Sequence, residues 1–200
     1  ATEIEDQPLR TSSLARIMRE TFGGSDAGGA WSWRMAYDVM QAAAVMHGMR
    51  ASGSDAFSMT RLLASRLLTE TRRSEQQIRL QQFSTPLPYA ALVARAAAIR
   101  PAETVLEPSA GTGALAGFAV RAGGKPLLNE IDPFRRALLE VVFGGAVTGV
   151  DAEHIDDLLT VPDLPGVIVM NPPFASSVDR SRDKHIAAKH LIGAAKRLAP

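Results

Sequence analysis

The sequence predicts a mixed α/β fold in which a parallel sheet follows a helical N-terminal region. Three observations carry this. First, β-rich runs at "TVLEP" (104–108), "PLLNEID" (126–132), "AVTGVD" (146–151) and "GVIVMN" (166–171) alternate with helical segments, the pattern of βαβ units. Second, each run closes on a polar side chain, Glu107, Glu130, Asp151 and Asn171, at intervals of 23, 21 and 20 residues. Third, residues 1–82 contain no convincing strand.

The N-terminal region begins its readable structure with a Gly-rich stretch, "GGSDAGGAW" (23–31). No apolar strand precedes it, as a phosphate loop would need, so it reads as a loop or hinge rather than an anion cradle. "WSWRMAYDVMQAAAVMHGM" (31–49) reads as a helix, with Met35, Val39, Ala42, Ala43 and Met46 at helical spacing along one face. Its Met-rich, Trp-containing surface reads as packed core rather than a ligand box. A second helix is expected from about Ser58 to Gln81, with Met59, Leu62, Leu63 and Leu67 as its early apolar stripe. "PYAALVARAAAI" (88–99) introduces the sheet domain, and "TGALAGFAVRAG", "PFRRALLEVVFG" and the shorter "AEHIDDLL" connect the strands. The reading divides the chain into a helical region, 1–82, and an α/β domain, 83–200.

Only four strands are readable, with "GVIVM" expected at an edge and the helix "HIAAKHLIGAAKRLAP" covering the sheet. An edge strand that is apolar throughout offers unpaired backbone groups to another chain. The expectation is therefore a longer polypeptide that supplies the next strand after Pro200, and self-association of these 200 residues through that edge.

Composition excludes several functions. The formal net charge of +1 gives no global commitment to nucleic acid or membrane, so such contacts need a local patch. Without cysteine there are no disulfides and no thiolate metal sites. No apolar stretch approaches the roughly 18 residues of a membrane span, and the N-terminus has no signal-peptide pattern. The cytoplasm is the default location, and no metal site is expected. His154, His185 and His190 read as solvated or locally bonded.

In a parallel sheet the four polar strand ends share one edge, and open α/β sheets bind ligands outside the carboxyl ends of their strands. The first continues as "EPSAGTGAL" (107–115), where Gly111 and Gly113 allow close backbone approach. It is not a dinucleotide loop, since Ala116 stands where the third glycine belongs, and no Gly-Lys-Ser/Thr follows for a Walker loop. Glu130 falls 19 residues after Gly111, close to the roughly 20 expected of a carboxylate gripping ribose hydroxyls. The ligand reads as nucleoside-like, without need of a pyrophosphate cradle. At the fourth strand end, "NPPF" (171–174) removes two backbone donors and fixes two φ angles. By itself it is either a stiff turn over a buried ring or a rigidly held site.

"FSTP" (83–86), "EPSAGTG" (107–113), "NEIDP" (129–133), Asp151 and "NPPF" resemble, in order and spacing, the motifs of S-adenosylmethionine-dependent N6-adenine methyltransferases of the γ arrangement. "QQFSTPLPYAALVARAAAIRPAETVLEPSAGTGAL" is similar to one branch, the methyltransferase domain that precedes a helicase in bacterial strawberry-notch-like proteins. The resemblance covers about residues 81–200 and, more loosely, the Trp-rich N-terminal helix. It implies a Rossmann-like class I methyltransferase sheet with strand order 3-2-1-4 and its later strands missing, S-adenosylmethionine as cofactor, DNA as the nucleic-acid partner, and helicase or further domains beyond the C-terminus.

The resemblance further implies roles for individual residues. Glu130, flanked by Ile131, would hold the ribose hydroxyls, and Asp151, followed by Ala152, the cofactor's adenine amino group. Gly111 and Gly113 would pass beneath the methionine portion, in a loop completed by Ser109, Ala110 and Thr112. Glu107 would lie near the ammonium, and Thr85, with Pro86 beside it, near the carboxylate. The Asn171 side-chain oxygen and Pro172 carbonyl would accept from the target amine, Pro173 would stiffen the turn, and Phe174 would stack on a base swung out of its helix. Arg180, Arg182 and Lys184, with Lys189, would meet phosphate or form a solvated face. Two departures stand out: Glu at 107 in place of the commoner Asp, and the small Ala152 after Asp151. An RNA or protein-glutamine amino group, or cofactor binding without turnover in a module serving a helicase, remain the other readings.

Overall fold

The computed structural model describes residues 7–51, 55–70, 84–160, 164–173 and 185–199. Phe174, Arg180, Arg182, Lys184 and residues 71–83 lie outside them.

Three parallel strands form the sheet: β1 (Thr104–Glu107), β2 (Lys125–Leu128) and β3 (Val167–Ile168), in the order β2-β1-β3. The register places Leu106 of β1 opposite Leu127 of β2 and Ile168 of β3. Side chains alternate across a strand, and here each face meets its own core. Val105, Val167 and Val169 join one apolar cluster, while Leu106, Ile168 and Met170 join another. A parallel sheet covered on both faces needs apolar side chains pointing both ways, which is why "GVIVM" carries no polar alternation.

Seven helices of eight or more residues, or nearly so, surround the sheet among the described residues: α1 (Thr11–Phe22), α2 (Trp33–Arg50), α3 (Ala56–Arg66), α4 (Leu87–Ala96), α5 (Ala114–Arg121), α6 (Pro133–Phe143) and, after a short α7 (Ile155–Leu158), α8 (Ile186–Ala195). The first face is covered by Leu87, Ala90, Ala91 and Ala94 of α4, Leu115, Phe118 and Ala119 of α5, and Ala44, Val45 and Leu63 of α2 and α3. The second is covered by Ile155 of α7, Leu159 just after it, and Ala194 of α8. One core therefore takes residues from both sides of position 82. No described helix is long and apolar enough to cross a membrane.

Three expectations are corrected. The "AVTGVD" run is not a strand. It contributes a single parallel bridge, Thr148 to Asn129, on the side of β2 away from β1. Thr148 N–H donates to Leu128 O and Glu130 N–H donates to Thr148 O, but at Val150 the N–H turns to the Asn129 side chain at 2.9 Å. A side chain has replaced the next rung of the ladder. The positional order of the segments matches the expected 3-2-1-4, with β3 at the edge of the described sheet.

The second helix starts at Ala56, capped by Asp55 accepting from Ser58 N–H at 2.9 Å, and ends at Arg66 rather than running on to 81. Leu67 is extended, and the carbonyl of Arg66 is taken by Leu9 N–H at 2.8 Å instead of by a further turn. Residues 71–81 of the expected helix lie outside the described chain. Within it Leu63 is buried, but Leu62 is 55% exposed.

The third correction concerns α2. Of its expected stripe only Ala42 is fully buried; the buried positions are Ala36, Tyr37, Asp38, Met40, Ala44, Val45 and Gly48 as well. The helix packs against α1, α3, α5 and α6, and a helix surrounded on several sides has no single apolar face. The loop before it is structural, held by Trp31 Nε1–H to Gly24 O at 3.0 Å and Trp33 Nε1–H to Asp26 at 2.9 Å. Trp31 itself is buried among Leu14, Met18 and Met40, as a core residue should be. Helix α1 completes that cluster and had no counterpart among the sequence expectations.

Where α2 crosses α5, the helices touch through glycine. A Cβ on Gly117 would sit 2.5 Å from Val45 Cγ1, so the crossing distance leaves no room for a methyl group. Gly117→Ala should therefore lower unfolding free energy by about 1–3 kcal/mol. Gly145→Ala, where nothing lies within 4 Å, should change it by less than about 0.5 kcal/mol. Urea denaturation of the two variants checks the difference.

Candidate functional site

Glu107 ends β1 and is 3% exposed. Its Oε2 accepts from Ala116 N–H at 2.8 Å, in the first turn of α5. Its other oxygen has no partner among the described residues. Between them lies the Gly-rich loop, which turns because Gly111 and Gly113 take φ of 58° and 84°. Gly113 has a second constraint: a Cβ there would meet Phe143 at 2.7 Å and Leu139 at 2.8 Å, both on α6.

Glu130 lies two residues past β2 and is also buried. Its Oε2 accepts from Gly111 N–H at 2.7 Å and its Oε1 from Asp132 N–H at 2.8 Å. One carboxylate thus ties the loop after β1 to the start of α6. Asp132 in turn caps α6, accepting from Phe134 N–H at 3.0 Å and Arg135 N–H at 3.1 Å, with Pro133 placed where a helix needs no donor. Ile131, between the two acids, is 49% exposed, an apolar side chain standing at the edge.

Asn129 was not singled out in the sequence, yet it organises this edge. Its Nδ2 donates to Pro108 O and Val150 O, each at 2.9 Å, and its Oδ1 accepts from Thr148 Oγ1–H and Val150 N–H, each at 2.9 Å. It is 1% exposed and joins the ends of three chain segments. The signal was an amide at the end of an apolar strand, where an unsatisfied side chain would be costly.

Asp151 is exposed at the start of a 3₁₀ turn, Ala152–His154, and caps it through Glu153 N–H at 3.0 Å. Ala152 behind it is buried. At the fourth strand end, Asn171 Nδ2 donates to Thr85 Oγ1 at 3.2 Å. The "STP" and "NPP" stretches, 86 residues apart, therefore meet. Thr112 Oγ1, buried in the Gly-rich loop, lies 3.4 Å from Ser84 Oγ and 3.3 Å from Gln41 Oε1 on α2. Ser109 is half-buried, Ala110 is buried and Pro86 is exposed; Ala110 N–H donates to Asn129 O at 2.9 Å. Pro172 and Pro173 are half-buried. The structure thus brings together Thr85, Glu107, the loop 109–113, Glu130 and Asn171, and sets Asp151 at the neighbouring segment end.

The N-terminal helices join this edge by charge. Arg135, on α6, donates through Nε at 3.0 Å and Nη2 at 2.7 Å to Asp38 Oδ1 of α2, with both side chains buried. Arg34, one turn earlier on α2, pairs with Asp132. From Trp33 to Val45 these are the only charged residues of α2, and that isolation within an apolar helix was the available clue.

Burial pushes Glu107 well above the usual carboxyl range, opposed by the Ala116 N–H and reinforced by the charge of Glu130. Burial raises Glu130 too, against the Asp132 N–H, the Arg135 charge and the Gly111 N–H. For Arg135 burial works to lower the pKa, but Asp38 outweighs it and the guanidinium stays charged. Two nearby carboxyls are thus shifted upward by burial, and such perturbed groups concentrate where ligands bind. His190 departs from the solvated reading: it is buried on α8, its Nδ1 has no partner, and burial lowers its pKa against Asp151 and Glu153. Lys189 pairs with Glu153 at 2.7 Å. Among the described residues no group of three His, Asp or Glu is placed to hold a metal ion.

No family model and no curated protein matches the chain.

A carboxyl whose folded pKa is raised binds its proton more tightly in the native state. Its stabilising contribution is present below the ordinary value of 4.5 and is lost as pH rises through the folded pKa. Glu107→Gln should therefore flatten the decline of stability between about pH 5 and pH 8, measured as urea midpoints of variant minus wild type. His190, with a lowered pKa, tilts stability the other way below 6.5, and the subtraction removes it. Parallel curves for the two proteins would show that Glu107 carries no such strain.

Proposed function

We propose that the carboxyl edge binds S-adenosylmethionine and that the chain transfers its methyl group to an exocyclic amine, N6 of adenine in DNA. The observation that carries the reading is the bond between Asn171 and Thr85, which joins the "NPP" turn to the segment beside the Gly-rich loop. The donor set fits such a ligand. The edge carries acceptors, Glu107 and Glu130, and neutral hydroxyls, Ser84, Thr85 and Thr112. Carboxylates suit ammonium and hydroxyl groups, and hydroxyl donors suit a carboxylate. Each oxygen of Glu130 accepts one backbone N–H and retains a lone pair for a ribose hydroxyl. Half-exposed Ile131 and exposed Asp151 suit the face and amino group of an adenine.

The cofactor's sulfonium supplies an activated methyl group, so the protein needs neither a metal nor a covalent nucleophile. What the chain must do is prepare the amine. An adenine amino group is a weak nucleophile because its lone pair is delocalised into the ring. Asn171 donates to Thr85 through Nδ2, which makes Oδ1 the arm turned away from Thr85. In this reading that oxygen and the Pro172 carbonyl accept from the two amine N–H bonds, favouring a pyramidal nitrogen with its lone pair exposed. Pro172 and Pro173 fix the backbone so that the acceptors need no reorganisation, the usual source of such catalysis. The choice of adenine in DNA follows the resemblance of "NPPF" and its neighbours, with Phe174 as the stacking ring.

Asn171→Ala should lower methyl transfer to adenine-containing DNA by at least about 10²-fold while leaving cofactor affinity within a few-fold. Transfer of tritiated methyl groups, with DNA, RNA and protein offered side by side, checks both activity and polymer. Label appearing only in protein would overturn the DNA assignment, and unchanged transfer by the variant would overturn the role of Asn171.

A further inference from the structure

We infer that Gln41, on helix α2 of the N-terminal region, is a cofactor-binding residue that donates its side-chain amide to the carboxylate of the methionine portion. This rests on the proposed binding of S-adenosylmethionine at the carboxyl edge and assigns a contact that no motif in the sequence carries.

The geometry starts from Thr112. Its hydroxyl is buried in the Gly-rich loop and lies 3.3 Å from Gln41 Oε1 and 3.4 Å from Ser84 Oγ. A hydroxyl has one proton, so it cannot donate fully to both. If the Gln41 oxygen takes it, the two amide N–H groups of Gln41 face away from Thr112. These two N–H groups have no acceptor among the described residues, while the Ser84 hydroxyl can turn its proton to Thr112 Oγ1 or to a ligand. Gln41 and Ser84 are only half-buried, so these donors remain within reach of a ligand.

Two amide N–H groups without an acceptor, beside a serine hydroxyl that can turn to the same point, match an acceptor-only group with several lone pairs. A carboxylate is that group. Glu107 and Glu130 take no hydrogen bond from Gln41 or Ser84; theirs come from the N–H groups of Ala116, Gly111 and Asp132. Position is fixed independently of any ligand. Asp38, three residues before Gln41 and thus almost one turn away on the same side of α2, is clamped by Arg135 at 2.7 Å. Glycine contacts at Gly48 and Gly117 set the α2–α5 distance. The N-terminal region therefore presents a ligand-binding side chain from a rigid helix rather than merely packing on the sheet.

The test compares two ligands that differ in the amino-acid portion. S-adenosylhomocysteine has the carboxylate, whereas methylthioadenosine keeps the nucleoside and sulfur but lacks it. By calorimetry on the 200-residue chain, Gln41→Ala should weaken S-adenosylhomocysteine about tenfold, the scale of one hydrogen bond to a charged group, and leave methylthioadenosine within twofold. Gln41→Glu, which sets a like charge against the carboxylate, should weaken S-adenosylhomocysteine further and again spare methylthioadenosine. Ser84→Ala should show the same selectivity and serves if a Gln41 variant does not fold. Equal loss of both ligands would make Gln41 a structural residue and overturn the inference, as would unchanged affinity for S-adenosylhomocysteine. Wild-type protein that binds neither ligand would instead overturn the S-adenosylmethionine site itself, and this contact with it.

Discussion

Glu130 is the residue on which the geometry of the carboxyl edge depends. Its two oxygens accept Gly111 N–H and Asp132 N–H, so the loop that ends β1 and the turn that starts α6 are set against one carboxylate. Asn129 beside it does the same for Pro108, Thr148 and Val150. Adjacent residues of one strand end thus satisfy the polar backbone of every neighbouring segment. A sheet of only three described strands, the last of two residues, holds a defined edge because side chains carry bonds that a longer ladder would otherwise make.

The same edge is braced from outside the sheet. Asp132, which Glu130 orients through its N–H, caps α6 and receives Arg34; Arg135, in the first turn of α6, receives Asp38. Buried ion pairs contribute little net stability, because desolvation offsets the attraction, but losing one partner leaves a buried charge and is strongly destabilising. The consequence is specificity of placement. Helix α2 can sit in one register on α5 and α6, with glycine at the crossing and charge at the end, and that register brings Gln41 to Thr112. The N-terminal helices and the α/β portion share one apolar cluster for the same reason.

Much of this was legible in the sequence where a single local rule decides. The strands at Glu107 and Leu128, the helices after Gly113 and Asp132, and the meeting of polar strand ends follow from periodicity, capping and parallel topology. The losses have physical causes. "AVTGVD" has the composition of a strand, but Asn129 diverts the Val150 N–H, a tertiary event no window of residues contains. The early stop of α3 at Arg66 depends on Leu9, more than fifty residues away. Helix α2 misled because a helix buried on several sides loses the amphipathic stripe by which helices are read. At the candidate site, the Gly-rich and Pro-rich motifs stand out in the sequence, whereas Asn129, Arg34, Asp38 and Gln41 do not. The first group acts through unusual backbone; the second acts through side-chain partners distant in sequence.

The central claim is that ligand recognition lives on this one edge, between the Gly-rich loop and the segments that carry Thr85, Ile131 and Ala152. It is tested most directly by following backbone amides of ¹⁵N-labelled protein during titration with S-adenosylhomocysteine. The account predicts saturable shifts at Thr85, Gly111, Thr112, Gly113, Ile131 and Ala152, with α1 unmoved. Saturable shifts confined to other surfaces, or none at millimolar ligand with a well-dispersed spectrum, would contradict it.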